Sequence, residues 1–422
     1  DPLESLAYLG EIPLGVDDRS KQGVTRHGPA ASPGFLLANT AGAGKIRRRS
    51  RRSKIREARL WSAEGQLLHR WSADALGDEH SWAMTRLDPR GALYLVTADA
   101  AFIKLDWDSK PMWTVLGRFH HDFGFDQEGG FAVLTERPRV VPAPLGVGTS
   151  ADSSIRILDH GITFISADGD VTDRLWLYDA LADHPDFAWQ VRRRSRRHGA
   201  DAIVEDGIER GGGGLDIFHS NSVLLLPRDV PGLGRRGDVL VSLRHLNLIV
   251  VLDRRTKQRV WSWGSDHLTR QHDATLTSED KLVLFDNRTE AVGSRALVID
   301  PVRKTIEREI GGDRATGQLD FFSMGRGLAQ GLQGGNVMVV VSNEGRAFEL
   351  TPDGEVVWEF WSPWIRRDAR LPFRAVRLEG ATQAGLARIL AGEQDPPRRA
   401  PGTRPRLIHA DADSPPLDFA PW

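Results

Sequence analysis

The 422-residue chain contains no cysteine, and this absence removes several classes of chemistry at once. Without thiols the protein cannot form disulfides, use a thiolate nucleophile, hold an iron–sulfur cluster or bind zinc through cysteine. An excess of charge of one sign is also missing, because 56 Lys and Arg residues are balanced by 57 Asp and Glu, for a net charge of -1. Proteins that bind nucleic acid usually carry a strong positive excess. Nucleic acid is therefore not an expected partner.

Long hydrophobic runs are lacking as well. No stretch of about 18 apolar residues occurs, so the sequence predicts no membrane-spanning helix. The chain begins with Asp1 rather than Met, and no secretory signal pattern follows it. Two alternatives follow: the protein is soluble, or a targeting segment or membrane anchor was removed upstream of Asp1, and the missing Met favours removal. Apolar residues make up 40% of the chain, which is enough for a large globular core.

One pattern recurs along the chain: an alternating apolar and polar run, a tight turn with an acidic residue and often glycine, and a second alternating run. Alternation with a period of two indicates half-buried β-strands, and Asp and Gly favour tight turns. The pattern therefore predicts β-hairpins. They cover residues 58–71, 85–97, 123–135, 162–176, 250–263, 274–286, 296–310 and 348–360.

These hairpins indicate how the whole chain folds. Two hairpins form a four-stranded antiparallel sheet, and about six such sheets fit between residues 56 and 365, which is typical of a β-propeller. A β-sandwich would use fewer strands, and a parallel α/β fold would need many amphipathic helices, whereas only residues 179–183 and 381–392 have a helical pattern. The sequence therefore predicts an all-β protein, a six-bladed β-propeller of four-stranded antiparallel blades.

The propeller is expected to occupy residues 24–365. Residues 1–23 form an N-terminal extension, and residues 366–422 form a C-terminal segment that is rich in Pro and Arg and partly irregular. Two further segments, residues 45–59 and 191–198, are dense in arginine. We interpret both as solvated loops, and binding of a polyanion or of anionic headgroups is the alternative.

Polar residues at the ends of inner strands are the candidates for function, because the innermost strands of a propeller line its central axis. A ligand there contacts residues that lie far apart in the sequence. Four segments place His or Arg at the end of an apolar run, namely FHHDFGFD (119–126), DIFHSNSV (216–223), LVSLRHLN (240–247) and RQHDATL (270–276).

Taken in order, these motifs resemble the bacterial aryl sulfotransferase family, whose members transfer sulfate between phenols without PAPS. RHGPAASPGFLLAN (26–39), GRAFELTPDGEVVWEFWSP (345–363) and FRAVR (373–377) resemble further segments of the family, so the resemblance covers roughly residues 24–377. It implies a six-bladed propeller and a ping-pong mechanism through a sulfohistidine. It also implies export to the periplasm or the extracellular space.

The resemblance also implies roles for particular residues. His272 in Q-H-D corresponds to the nucleophile. His219 and Asn221 match the F-H-x-N positions, Arg244 matches S-x-R, and His121 is the His before Asp in H-H-D. We therefore expect His272, His219, Arg244 and His121 to be catalytic and Asn221 to bind substrate.

The chemistry asks for the same residue types. A neutral imidazole is a competent nucleophile near neutral pH, and the planar fork of Arg244 can bind sulfuryl oxygens. Either Asp273 or a backbone carbonyl can fix the tautomer of His272. A second histidine, His121 or His219, can protonate the leaving phenolate and later deprotonate the acceptor, and the sequence leaves this choice open.

Other polar residues near these motifs have less specific expectations. We expect His120 to be a structural partner of His121 and His245 to face away from Arg244, because neighbours on a strand point to opposite sides. Asn287 and Arg295 can either line the axis or serve hairpins and loops, and His160 belongs to no motif.

Signals for a metal or a cofactor are weak, since the chain has no H-E-x-x-H motif, no P-loop and no G-x-G-x-x-G between a strand and a helix. Neither a metal nor a cofactor is expected, and the predicted partners are a phenolic sulfate donor and a phenol acceptor. The oligomeric state stays open. Two alternatives remain: a non-catalytic propeller that binds a ligand or protein at its axis, and an enzyme that acts on another sulfate or phosphate ester.

Overall fold

The computed structural model describes residues 12–13, 20–40, 56–72, 82–97, 100–144, 147, 153–198, 203–204, 214–311, 319–366 and 369–410. These residues form six small antiparallel sheets of four strands, some with added strands, arranged as a six-bladed β-propeller. The predicted fold is therefore confirmed. No helix within the described ranges is long and apolar enough to cross a membrane.

The described part of the chain contains far more strand than helix. Its strands, in chain order, are β1 (Ile12–Pro13), β2 (Gly23–His27), β3 (Phe35–Thr40), β4 (Glu57–Ser62), β5 (Leu67–Ser72), β6 (Trp82–Leu87), β7 (Leu93–Thr97), β8 (Ala101–Leu105), β9 (Pro111–Leu116), β10 (Phe119–Phe125), β11 (Phe131–Pro142), β12 (Ser154–Ile165), β13 (Val171–Trp176), β14 (Ile203–Val204), β15 (Leu215–Asp216), β16 (Ser220–Leu225), β17 (Val239–Leu243), β18 (Leu248–Leu252), β19 (Arg259–Trp263), β20 (His272–Leu276), β21 (Leu282–Asp286), β22 (Arg295–Asp300), β23 (Thr305–Gly311), β24 (Leu328–Gly331), β25 (Val337–Val341), β26 (Arg346–Leu350), β27 (Val356–Trp361), β28 (Ile365–Arg366), β29 (Ala369–Arg370), β30 (Phe373–Leu378) and β31 (Arg406–His409). The α-helices are α1 (Leu177–Leu181), α2 (Pro185–His198) and α3 (Gly380–Leu390), and a short 3-10 helix spans Gln333–Gly335.

The six blades follow one another around the axis, each with its innermost strand named first. They are β30-β3-β4-β5, β6-β7-β8-β9, β10-β11-β12-β13, β16-β17-β18-β19, β20-β21-β22-β23 and β24-β25-β26-β27. All eight hairpins that the sequence pattern predicts are present as antiparallel pairs. Added strands extend some blades: β2 beside β27, β31 beside β9, and β14 and β15 beside β12. The strands β1, β29 and β28 form a separate small sheet.

The acidic residue of a hairpin turn holds the turn through its carboxylate. In the turn between β10 and β11, Asp126 Oδ1 accepts the backbone N–H groups of Glu128 and Gly130 at 2.9 and 2.6 Å. Gly129 adopts a φ of 87°, a conformation that glycine reaches without strain. Acidic side chain and glycine together therefore fix the register of the strands that lead to the axis.

A strand from the C-terminal part of the chain closes the ring. β30 pairs antiparallel with β3, from Phe35 opposite Leu378 to Thr40 opposite Phe373, and is the innermost strand of its blade. It lies beyond the range 24–365 that the hairpin pattern assigns to the propeller. The reason is physical: β30 pairs with a strand from the other end of the chain and has no hairpin partner next to it in sequence.

A buried ion pair connects this closing strand to the neighbouring blade. Arg377 of β30 donates to Glu349 of β26 at 3.2 Å, and both side chains are fully buried. Glu349 also accepts the backbone N–H and the hydroxyl of Ser32 at 2.7 Å and the amide of Asn336 at 2.6 Å. The closure of the ring therefore depends on a carboxylate whose partners come from three parts of the chain.

Apolar side chains fill the spaces between neighbouring blades. One cluster joins the third and fourth blades and includes Ile162, Phe164, Val241 and Val250, all almost completely buried. Burial of each such side chain contributes about 1.5–3 kcal/mol. This packing holds the inner strands at fixed positions around the axis.

The second arginine-rich segment is a helix rather than the predicted loop. Residues 191–198 form the C-terminal part of α2, which starts at Pro185, a residue suited to the first helical position. Phe187 and Val191, one helical turn apart, are buried, and the Phe187 ring stacks on Phe218 at 5.6 Å. These apolar contacts explain why a basic sequence forms a helix here. In the first arginine-rich segment, residues 45–55 lie outside the described residues, and residues 57–59 belong to β4.

Candidate active site

Three neighbouring inner strands, β10, β16 and β20, carry His121, Asn221 and His272, and each has an irregular register near its beginning. His219 directly precedes β16, and Arg244 directly follows β17. The shifts lie between Phe119 and Phe123, between Ser220 and Ser222, and between His272 and Thr275. A bulge adds a residue to one strand and turns its side chains away from simple alternation. The rule that neighbours face opposite sides therefore fails at this end of the strands.

Backbone conformation also turns these side chains away from simple alternation. His121, His219 and Asp273 adopt φ values of 56°, 46° and 56°, in the left-handed region that is unfavourable for residues with a side chain. Such conformations cost on the order of 1–3 kcal/mol each and persist only where surrounding contacts enforce them. Three of them at neighbouring inner strands mark this end of the axis as a candidate functional site.

His272 is held in one orientation by contacts to both ring nitrogens. Its Nδ1 lies 2.6 Å from Asn287 Oδ1 and 3.1 Å from the carbonyl oxygen of Arg270. Asn287 is itself fixed, because its amide donates to the carbonyl oxygens of Ser323 and Arg326 at 2.7 and 2.6 Å. Both partners of Nδ1 are acceptors, so Nδ1 carries the proton. The lone pair of His272 is therefore on Nε2, which accepts the backbone N–H of Arg326 at 3.1 Å.

His272 is also kept neutral. Burial, and then the positive charge of Arg244, hold its pKa well below the usual range, and Arg374 acts in the same direction. The hydrogen bond to Asn287 opposes this shift. A neutral, oriented imidazole with its lone pair on Nε2 has the form that a nucleophile needs. A carbonyl and an amide, rather than Asp273, fix its tautomer.

Asp216 contacts three histidines that come from three different strands or loops. Its Oδ2 lies 2.5 Å from His219 Nδ1, its Oδ1 lies 3.3 Å from His160 Nε2, and its carbonyl oxygen lies 2.9 Å from His245 Nδ1. The same Oδ1 accepts the backbone N–H of His219 at 2.9 Å. Nearby histidines hold the pKa of the Asp216 carboxyl well below its usual range, although burial acts the other way. Asp216 is therefore a carboxylate.

Arg244 and His245 contact each other, contrary to the expectation that His245 faces away. Arg244 Nη1 donates to His245 Nε2 at 2.9 Å, and the His245 ring lies 4.4 Å from that of His219. Because a guanidinium only donates, the proton of His245 is on Nδ1. Burial lowers the pKa of His245 to about 3, so this ring is a neutral support for Arg244.

His121 lies among other histidines. Its ring centroid is 5.0 Å from that of His219, and its Nδ1 is 2.9 Å from Nδ1 of His120, which is the expected partner. Burial and the neighbouring His219 and His120 hold its pKa well below the usual range, and the charge of Arg374 adds to this effect. His121 is therefore a neutral group at the same end of the axis.

Asn221 completes the predicted set. Its amide donates to the carbonyl oxygen of Gln271, the residue before His272, at 2.8 Å. Its Oδ1 is buried and has no hydrogen-bond partner among the described residues. A buried acceptor of this kind carries a desolvation cost unless a ligand satisfies it.

Four further ionic groups on inner strands interact with one another or with this set. Arg86 on β6 donates to Asp122 on β10 at 2.9 Å, and Asp122 also accepts the backbone N–H of Val223 at 3.1 Å. Burial and the charge of Asp122 raise the pKa of the Asp273 carboxyl to about 7, and the charge of Arg374 acts against this rise. Arg374, on the closing strand, is almost fully buried. An arginine whose charge acts on His121, His272 and Asp273 thus comes from β30.

Two groups of side chains in the described chain have the residue types and spacing to hold a metal ion. They are His120 with Glu136 and His160, and Asp216 with His219 and His245. The tautomers disfavour both. In the first group, His160 Nδ1 accepts the backbone N–H of Ser220 at 3.2 Å, so the Nε2 atom that faces this group carries a proton. In the second group, His219 Nδ1 is hydrogen-bonded to Asp216, and His245 Nε2 accepts a hydrogen bond from Arg244.

The structure brings the predicted residues His121, His219, Asn221, Arg244 and His272 to one end of the axis. Reasoning from the sequence missed four residues that contact or act on them, namely Asp216, His160, His245 and Arg374. Asn287, for which two roles were open, supports His272, whereas Arg295 pairs with Asp286 and Glu309. The spacing D-x-x-H over 216–219 was a signal for Asp216, because Asp often caps the backbone a few residues on.

Fold and site together define the class: a six-bladed β-propeller whose axis presents neutral histidines and arginines, a combination suited to an anionic ester. The Arylsulfotransferase (ASST) family matches residues 63–363, well over half of the sequence, and the chain belongs to this family. The family and the fold support an arylsulfotransferase-type function with small aryl substrates. None of the curated proteins matches the sequence.

Several solved structures are similar to this chain. A protein of unknown function from Bacteroides caccae has a TM-score of 0.45 and 12% identity, covering 82% of this chain and 100% of that chain. A streptogramin B lyase has a TM-score of 0.42 and 11% identity, with coverages of 86% and 88%. Virginiamycin B lyase from Staphylococcus aureus has a TM-score of 0.42 and 8% identity, with coverages of 87% and 99%. These similarities carry no argument about function.

Proposed function

We propose that this protein transfers a sulfuryl group from an aryl sulfate ester to a phenol, without PAPS, by a ping-pong mechanism with a sulfohistidine intermediate at His272. The observation that carries the proposal is the double fixation of His272 Nδ1 by Asn287 and the Arg270 carbonyl, which directs the lone pair to Nε2. Family membership supplies the substrate class.

In the first half-reaction, the Nε2 lone pair of His272 forms a bond to sulfur while the bond from sulfur to the phenolic oxygen breaks. The electron pair leaves with the phenolate. The imidazole then carries a sulfuryl group on Nε2 and its original proton on Nδ1, and is therefore cationic. The hydrogen bond from Nδ1 to Asn287 strengthens as this charge develops, so Asn287 stabilises the transition state more than the ground state.

Charged and polar groups donate hydrogen bonds to the sulfuryl oxygens. The charges of Arg244 and Arg374 act on His272, and a guanidinium has the planar donor geometry that these oxygens accept. The backbone N–H of Arg326 occupies the Nε2 lone pair before the reaction, so this hydrogen bond breaks as the bond to sulfur forms, and the N–H then donates to a sulfuryl oxygen. Asn221 Oδ1 is a buried acceptor for a hydroxyl of the bound substrate.

In the second half-reaction, a phenol oxygen attacks the same sulfur, the bond from sulfur to Nε2 breaks, and its electron pair returns to His272. The acceptor phenol loses its proton in this step. His121 and His219 are the two candidates for this transfer: their ring centroids lie 5.0 Å apart, and the charge of Arg244 acts on His219 as it does on His272.

The test is release of 4-nitrophenolate from 4-nitrophenyl sulfate, with and without phenol, by the wild type and by His272→Ala. We expect steady release only with phenol, formation of phenyl sulfate, and loss of both in the variant. Absence of release with every phenol tried would favour the non-catalytic propeller. Activity on a phosphate ester or on a non-aryl sulfate ester, in place of 4-nitrophenyl sulfate, would favour another ester as the substrate. Release that survives the substitution would show that His272 is not the nucleophile.

A further inference from the structure

A carboxylate to which the sequence analysis assigns no role lies next to two of the histidines at this site. Asp216 is the last residue of β15, which runs parallel to β12 and places Asp216 opposite Leu158. His160 follows two residues later on β12, and His219 follows three residues after Asp216 in the chain. The short β15 therefore sets the position of the carboxylate between the two rings.

The hydrogen bonds define which nitrogen of each ring carries the proton. A carboxylate can only accept, so His219 donates through Nδ1 to Oδ2 at 2.5 Å. His160 Nδ1 accepts the backbone N–H of Ser220 at 3.2 Å, so His160 carries its proton on Nε2, which lies 3.3 Å from Oδ1 without forming an aligned hydrogen bond. Both rings thus carry the proton on the nitrogen that lies nearer to the carboxylate, and the lone pair of the neutral His219 ring is on Nε2.

We propose that Asp216 is a positioning residue that, together with His160, fixes His219 as the proton donor and acceptor for the phenolic oxygen, so that this role falls to His219 and not to His121. The inference rests on the function proposed above and assigns its open proton transfer. His121 has a different setting, because its neighbours at the axis are His120, His219 and the charge of Arg374.

The proton balance of the cycle follows from these tautomers. Burial, partly opposed by Asp216, lowers the pKa of His219, so the ring is neutral while the site holds no anion. A bound sulfate ester adds negative charge beside the ring and favours uptake of a proton at Nε2 from solvent. That proton passes to the departing phenolate. The neutral ring then takes the proton of the acceptor phenol, and this proton returns to solvent when the new ester leaves.

An asparagine at position 216 cannot support this arrangement. Its amide has one acceptor side and one donor side, whereas His160 and His219 both offer an N–H. If the amide NH₂ group faces His219, the proton of that ring moves to Nε2 and the ring can no longer take a proton there. If it faces His160, two donors meet. Either outcome disturbs the pair, and general acid–base catalysis of this kind contributes about 10²- to 10⁴-fold.

The experiment compares the first half-reaction of the wild type and of Asp216→Asn in a single turnover without acceptor, using two donors. 4-Nitrophenyl sulfate has a leaving group that departs without a proton, and phenyl sulfate has one that needs it. We expect the variant to lose about 100-fold or more with phenyl sulfate and less than about tenfold with 4-nitrophenyl sulfate. Asp88→Asn is the matched control, because Asp88 accepts two backbone N–H groups in the turn between β6 and β7, and it should change neither rate.

The outcomes separate this inference from the proposed function. If the wild type releases neither phenolate, the proposed function fails. If the wild type reacts and Asp216→Asn slows both donors equally, Asp216 has only a structural role and the inference is overturned.

A measurement on the wild type covers the case in which the variant does not fold. NMR of protein labelled with ¹⁵N-histidine should show His219 protonated at Nδ1, and a ring protonated only at Nε2 would overturn the inference.

Discussion

Replacement of Asn287 by leucine tests the support of His272 directly. Leucine has the same branched arrangement of side-chain heavy atoms as asparagine, so Asn287→Leu removes polar contacts without opening a cavity. The variant loses the acceptor for His272 Nδ1 at 2.6 Å and both amide hydrogen bonds, to the carbonyl oxygens of Ser323 and Arg326. The Arg270 carbonyl remains at 3.1 Å, so the ring keeps a weaker partner and His272 itself is unchanged.

The expected loss of rate follows from the charge that develops on the ring. In the first half-reaction the imidazole becomes cationic, and a hydrogen bond to a charged group is worth about 1.5–3 kcal/mol. Loss of that stabilisation in the transition state corresponds to a rate that is about 10- to 150-fold lower. Stability falls too, because each buried carbonyl left without its donor costs about 1–3 kcal/mol.

Single-turnover release of 4-nitrophenolate measures the rate, and urea unfolding measures the stability. Asn336→Leu is the control, since buried Asn336 also donates two hydrogen bonds through its amide, to the Ala30 carbonyl and to Glu349, but contacts no residue of the site. We expect both variants to lose stability and only Asn287→Leu to lose rate. A rate within about twofold of the wild type for Asn287→Leu would refute the role assigned to this contact.

Three further predictions concern charge. Arg244→Lys lacks the planar fork and should lower kcat/KM for 4-nitrophenyl sulfate about 100-fold; an unchanged value would exclude Arg244 from sulfuryl binding. The pKa of Asp273 is raised to about 7, so the wild type loses stability as pH rises from about 4 to 7. In urea unfolding, the stability of Asp273→Asn relative to the wild type should therefore rise by at least about 1.4 kcal/mol between pH 5 and pH 8. A difference that stays constant with pH would contradict this. Glu349→Gln leaves buried Arg377 without a charged partner and should cost roughly 3–5 kcal/mol in the same assay, whereas a loss below about 1 kcal/mol would show that the pair is dispensable.

The fold could be predicted from the sequence where structure is local. Alternation along a strand and an acidic residue with glycine at a turn are properties of a dozen neighbouring residues, and all eight predicted hairpins form. β30 could not be found in this way, because it pairs with β3 from the other end of the chain. Helix α2 was not predicted because its composition is mostly basic, and only two buried apolar residues, Phe187 and Val191, lie one turn apart on its packed side.

The same distinction applies to the candidate site. His121, His219, Arg244 and His272 stand in recognisable motifs at strand ends, and the structure brings them together. Their partners come from elsewhere: Asn287 is 15 residues from His272, and His160 reaches Ser220 across 60 residues. Bulges and left-handed backbone also turn side chains in ways that strict alternation does not predict. Contacts of this kind are set by the blades that meet at the axis.

The most direct test of the central claim is the mass of the protein after reaction with 4-nitrophenyl sulfate in the absence of acceptor. The account predicts one added sulfuryl group per chain, located by peptide mapping on His272, absent from His272→Ala and removed by added phenol. An adduct on another residue would contradict the assignment of the nucleophile. Transfer to phenol with no adduct on the protein at any time would contradict the ping-pong mechanism itself.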